Sequence, residues 1–180
     1  MKFYHLDIEI GIESPYINGN VLVQFEPIVQ ELNFIRLDLN SALQVDSISH
    51  PCETFKENDE IVITLDQYYN IGDLIEMVVY YQGVPVEAGG YKGLRYETHD
   101  ENEPIIATLS TPYLAHYWYP CKDGPEDKPD SVYVDITIPD TLIKNMELIA
   151  VSNGILENTT VSGSKKLLNG AIAILLSPIM

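Results

Sequence analysis

Cationic side chains are scarce in this sequence. Ten Lys and Arg stand against 27 Asp and Glu, a formal charge of −17 over 180 residues. That field repels polyanions, and no basic stripe with interleaved aromatics relieves it locally, so DNA and RNA are poor partners. An acidic surface serves solubility first and attraction of cationic or amine-bearing ligands second. Apolar runs are short: none approaches the ~18 residues of a membrane span. The opening MKFYHLDIEI alternates like a strand and lacks the apolar stretch of a signal peptide. Met1 is therefore a cytoplasmic start or follows a removed signal, and a soluble protein, cytoplasmic or exported, is expected. Cysteine is limited to Cys52 and Cys121, far apart and without a Cys-x-x-Cys unit. Two such residues read as buried free thiols and leave the redox compartment open.

What is present is period-two alternation. Tyr4, Leu6, Ile8 and Ile10 share one face, and Val21, Val23 and Phe25 share another. Between them, Asn18-Gly19 carries the signature of a tight hairpin. Further strands are expected over 32–39, 43–48, 61–65, 74–82, 105–109, 132–138 and 148–152, separated by turn residues. Helical periodicity of useful length, internal repeats and linkers are missing. The expectation is one all-β domain over 1–180, an antiparallel sandwich.

Two segments break the rhythm. Residues 84–104 are Gly-rich and then acidic, with Gly89 and Gly90 suited to a sharp excursion. They lack the strand-then-helix context of a phosphate loop. Asp100, Glu101 and Glu103 read as a solvated loop, since the ordered spacing of a calcium loop is missing. The second break, YWYPCKDGPEDK over 117–128, holds the only Trp and one of the two Cys. It reads as a packed corner in which Trp118 fills the core while Asp123 and Lys128 brace the turn.

Catalytic patterns are thin. The histidines, His5, His50, His99 and His116, show no helical pairing of the zinc-hydrolase kind. Ser152 has no Gly-x-Ser-x-Gly elbow and is followed by Asn153-Gly154, which suits a hairpin turn. Cys121 could be paired with His116 as a nucleophile, but a Cys beside Pro in a packed corner is more simply inert. Taken alone, the residues point to no catalyst.

The same residues resemble the N-terminal β-sandwich, a saddle-like domain, of zinc aminopeptidases of the aminopeptidase N and leukotriene A4 hydrolase type. The resemblance rests on Trp118-Tyr119-Pro120-Cys121-Lys122-Asp123-Gly124-Pro125-Glu126-Asp127-Lys128 and on the alternating strand ending at Pro139. It also rests on Ala150-Val151-Ser152-Asn153-Gly154. YHLDIEI, Leu37-Asp38-Leu39 and AGGYKGLRY extend it, so that it covers about residues 3–154. It implies that Trp118, Pro120, Cys121, Asp123, Pro125, Asp127, Lys128, Ser152, Asn153 and Gly154 are a structural signature. It further implies that zinc, with its His-Glu-x-x-His ligands, belongs to a following catalytic domain, this chain's main partner. No metal or other cofactor is expected here, no membrane partner, and no hydrolysis from this chain alone. The domain would cover the cleft and help shape the pocket for a peptide's amino terminus. The family's auxiliary Glu or Gln falls at Thr111, beside Pro112 and Tyr113, and Thr cannot supply its charge. His116 stands where an Arg is common. The alternative is a stand-alone sandwich binding protein or glycan through its Gly-rich loop and exposed Tyr.

The end of the chain departs from the family. Residues 167–180, LLNGAIAILLSPIM, stand where the family has a Trp-containing strand and Tyr-Pro-Ile. Moving the reading frame back one nucleotide from Leu168 lets permitted codons spell Ile-Glu-Trp-Arg-Tyr-Arg-Tyr-Pro-Ile. A frameshift or truncation, or a genuine apolar last strand, accounts for this tail.

Overall fold

The computed structural model describes residues 1–86, 93–99, 103–111, 113–143 and 146–172. The strands are β1 (Phe3–Ile10), β2 (Ile17–Phe25), β3 (Leu32–Asp38), β4 (Leu43–Ile48), β5 (Cys52–Glu57), β6 (Glu60–Tyr69) and β7 (Ile75–Gly83). They continue as β8 (Leu94–His99), β9 (Glu103–Thr108), β10 (Ser131–Pro139), β11 (Leu142–Ile143), β12 (Met146–Glu147), β13 (Ile155–Ser162) and β14 (Lys165–Ile172). A 3-10 turn, Ala115–Tyr117, is the helical element among the described residues.

Alternation builds the two main layers. In one sheet the order is β13-β14-β10-β1-β2-β7-β4, and in the other β3-β6-β5. Tyr4, Leu6 and Ile8 of β1, Val21, Val23 and Phe25 of β2, and Met77, Val79 and Tyr81 of β7 are all buried. They join Leu37 of β3 and Ile61, Ile63 and Leu65 of β6 in one core. Each such aliphatic side chain contributes about 1.5–3 kcal/mol on leaving water. The expected sandwich is therefore present. Among the described strands, pairing is antiparallel except between β1 and β10, which run parallel, Tyr4 opposite Val132.

Two expectations need correction. Asn18-Gly19 does not turn the first hairpin: both residues lie inside β2, opposite Glu9 and Ile8. The reversal falls earlier, between Ile10 and Ile17. Gly19 is needed for close approach, since a Cβ there would lie 2.6 Å from the Asp7 carbonyl oxygen. Residues 148–152 form no strand. Ile149 and Val151 are exposed and have no sheet to pack on, so their alternation finds no partner. Of the tail, 167–172 belong to β14, which pairs with β10 and β13, and Leu168 is buried. Residues 173–180, the Gly89-Gly90 loop, Asp100, Glu101 and Pro112 lie outside the described residues.

Candidate functional site

The corner over 113–130 is densely hydrogen-bonded, both within itself and to the sandwich. Its centre is the Asp123 carboxylate. Oδ1 accepts from the Tyr113 backbone N–H at 3.1 Å, while Oδ2 accepts from the His116 N–H at 3.1 Å and pairs with His116 Nδ1 at 2.5 Å. These donors open the short Ala115–Tyr117 turn and would otherwise lack intrahelical partners. Tyr113, at φ 73°, is held in the left-handed region at that point. Burial raises the Asp123 pKa, but the His116 hydrogen bonds from side chain and backbone outweigh it. Its carboxyl is left below the ordinary range.

The corner is also bolted to the sandwich. Asp38, at the end of β3, exchanges backbone hydrogen bonds with Cys121, and its Oδ2 accepts the Asp123 N–H at 2.8 Å. The Tyr4 hydroxyl accepts the Lys122 N–H at 2.9 Å, and the Tyr81 hydroxyl donates to the Trp118 carbonyl at 3.0 Å. Burial pushes both phenols up, so they stay neutral donors and acceptors. Trp118 is buried and its indole N–H donates to Ser110 Oγ at 3.1 Å. Gly93 lies under the ring, where a Cβ would fall 2.5 Å from Tyr117 Cβ and 2.6 Å from the Leu114 carbonyl oxygen.

The remaining signature residues divide clearly. Pro120 and Cys121 are buried, and Asp127 accepts from the Met1 amino group at 2.5 Å. Pro125 and Lys128 are exposed, so the brace is Asp123 with Asp38, and Lys128 stands outside it. Ser152, Asn153 and Gly154 are exposed on an irregular lead into β13. Thr111 and Tyr113 are exposed beside the corner. Asp38, Tyr4 and Tyr81 carry much of the bracing and escape sequence reading, because β1, β3 and β7 bring them in from distant positions. The Leu37-Asp38-Leu39 match was the one available signal for Asp38.

Chemically this is a brace. Burial, reinforced by Asp123 and Asp38, pushes the Cys121 thiol well up, which disfavours the thiolate a nucleophile needs. Among the described residues no three His, Cys, Asp or Glu side chains are grouped to hold a metal ion.

The profile of the Peptidase M1 N-terminal domain matches residues 2–168. The chain belongs to that family. No curated protein matches it significantly. Among solved structures, it is similar to the M1 zinc metallopeptidase of Deinococcus radiodurans at 22% identity and a TM-score of 0.78. A point mutant of that enzyme bound to a Tyr-Ser-Ala substrate matches at 20% identity and a TM-score of 0.78. A two-domain M1 zinc metallopeptidase mutant bound to L-arginine gives 20% and 0.77. Each alignment covers 94% of this chain and 38% of the other. The M1 N-terminal domain thus spans well under half the length of the enzymes it resembles.

Proposed function

We propose that the chain serves as the non-catalytic N-terminal domain of a zinc-dependent aminopeptidase, covering and shaping the cleft in which the amino terminus of a peptide is cleaved. The carrying observation is the family match over residues 2–168 combined with 38% coverage of zinc metallopeptidases. On this reading the partner is a catalytic domain that holds the zinc and activates water. The domain's own contribution is positional. Asp123 and Asp38 fix the turn, and the turn sets out Thr111 and Tyr113 as exposed groups next to it. Thr111 offers a neutral hydroxyl, so a substrate ammonium would depend on carboxylates of the catalytic domain.

The family match ends at residue 168. From that same residue, permitted codons of a frame moved back by one nucleotide can spell a Trp-containing strand. Sequencing the source DNA from about codon 160 onward, with all frames translated, tests the proposal. The expected result is a downstream frame encoding His-Glu-x-x-His. A stop after Met180 with no such frame overturns it and leaves a stand-alone binding module.

A further inference from the structure

The seven-stranded sheet ends at β13, whose far side has no neighbouring strand among the described residues. Successive residues of an antiparallel strand send their N–H and C=O groups to alternate sides, so part of the β13 backbone faces away from β14. An open edge of this kind pairs with another strand unless something guards it. The other strands that end the two main sheets are guarded. β3 is bridged to Cys121 through Asp38, Lys56 donates to the Leu43 carbonyl at the start of β4, and β5 carries Glu53, Lys56 and Glu57. β13, ILENTTVS, holds no Pro and no Lys, and its one charge is Glu157.

Charge and symmetry together say what can add there. The chain carries a formal charge of −17, so two copies repel wherever carboxylates line the approach. From Asn158 to Ser162 the edge is neutral. That same segment is also the regular part of the strand. Glu157 sits in an irregularity between Leu156 and Asn158, and from Asn158 onward the pairing with β14 is unbroken. Asn158 and Thr160 share one face, where Asn158 Nδ2 donates to Thr160 Oγ1 at 3.2 Å. Thr159 and Val161, opposite Leu168 and Lys166, share the other. Laid antiparallel on itself about Thr160, the segment sets Asn158 against Ser162, Thr159 against Val161 and Thr160 against its own copy. Every pair then lies on one face, with no like charges opposed. Glu157 falls opposite Gly163 in the turn, beyond the last pair. All eight residues of β13 are exposed, so both faces are free to receive such neighbours.

We propose that the occupant is a second copy of this chain, joined β13 to β13 across a two-fold axis at Thr160, so that the two seven-stranded sheets run on into one. Pairing over residues 158–162 alone makes a contact well below standard interface size. The dimer therefore forms in concentrated solution, and the dilute chain is monomeric. The contact uses only this chain and does not rest on the aminopeptidase reading.

The test is sedimentation of the full chain over a range of concentrations, with amide chemical shifts followed in the same samples. The average mass should rise from the monomer's at micromolar concentration towards twice that near millimolar concentration, and the moving shifts should centre on residues 158–162. Thr160→Lys and Thr160→Glu are exposed changes that put like charges face to face at the axis, so each alone should weaken association by about three-fold or more. Mixing T160K with T160E sets opposite charges there and should restore it. The mixture also guards against a folding defect, which it could not repair. A T160K chain that dimerises like the parent, a mixture no better than its components, or moving shifts centred elsewhere would each overturn the proposal. So would a chain that stays monomeric near millimolar concentration, which would give the edge to another protein, such as a catalytic domain, and leave the aminopeptidase reading untouched.

Discussion

Gly93 and Asp123 hold the corner in different ways, and each yields a measurable consequence. A methyl group at Gly93 meets Tyr117 Cβ and the Leu114 carbonyl at distances no real contact tolerates. Gly93→Ala should therefore cost about 1–3 kcal/mol in urea unfolding, as overpacking does. Asp123→Asn keeps the shape but turns one carboxylate oxygen into a donor facing other donors, at a cost of about 2–3 kcal/mol. The pH dependence follows from the same bonds. The folded Asp123 carboxyl titrates below its ordinary value of 3.8, so the unfolded chain binds more protons in the interval beneath it. Its stabilising contribution is thus complete above that value and disappears as pH falls through the folded pKa. Unfolding followed from about pH 5 to about pH 2 should show a shallower loss in D123N than in the parent. Equal slopes would remove Asp123 from the acid response.

Burial is graded across the strands, and this grading should appear in exchange rates. β1, β2 and β7 lie between neighbours and carry fully buried side chains, whereas every residue of edge strand β13 is exposed. Hydrogen exchange should be slowest in the first three and fast in β13, because local opening there exposes little new apolar surface. Protection of β13 matching that of β2 would contradict this ordering. The same grading explains what could be read beforehand. β1, β2, β4 and β10 bury one face or part of one, so Tyr4-Leu6-Ile8 and Val132-Val134 alternate visibly. β13, ILENTTVS, is exposed on both faces, and β5, CETFKE, is mostly polar, so neither shows a period to detect. Asn18-Gly19 misleads because the glycine answers to a neighbouring strand and not to a turn. At the corner, the run from Trp118 to Lys128 was visible by resemblance. Its bonds to Tyr4, Asp38 and Tyr81 depend on strand order, which no local pattern encodes.

At the scale of the molecule, a sandwich with an internally braced corner matches the Peptidase M1 N-terminal domain, and the chain spans 38% of the enzymes it resembles. Ile149 and Val151, before β13, and Ile155 and Leu156, at its start, are exposed apolar side chains. Among the described residues no helix is long and apolar enough to cross a membrane. On the proposed reading this domain supports peptide cleavage without performing it. The most direct measurement is zinc titration of the purified chain by calorimetry, with aminoacyl p-nitroanilides assayed in the same samples. The account predicts no stoichiometric zinc uptake and no release of p-nitroaniline. One equivalent of tightly held zinc together with chelator-sensitive hydrolysis would contradict it.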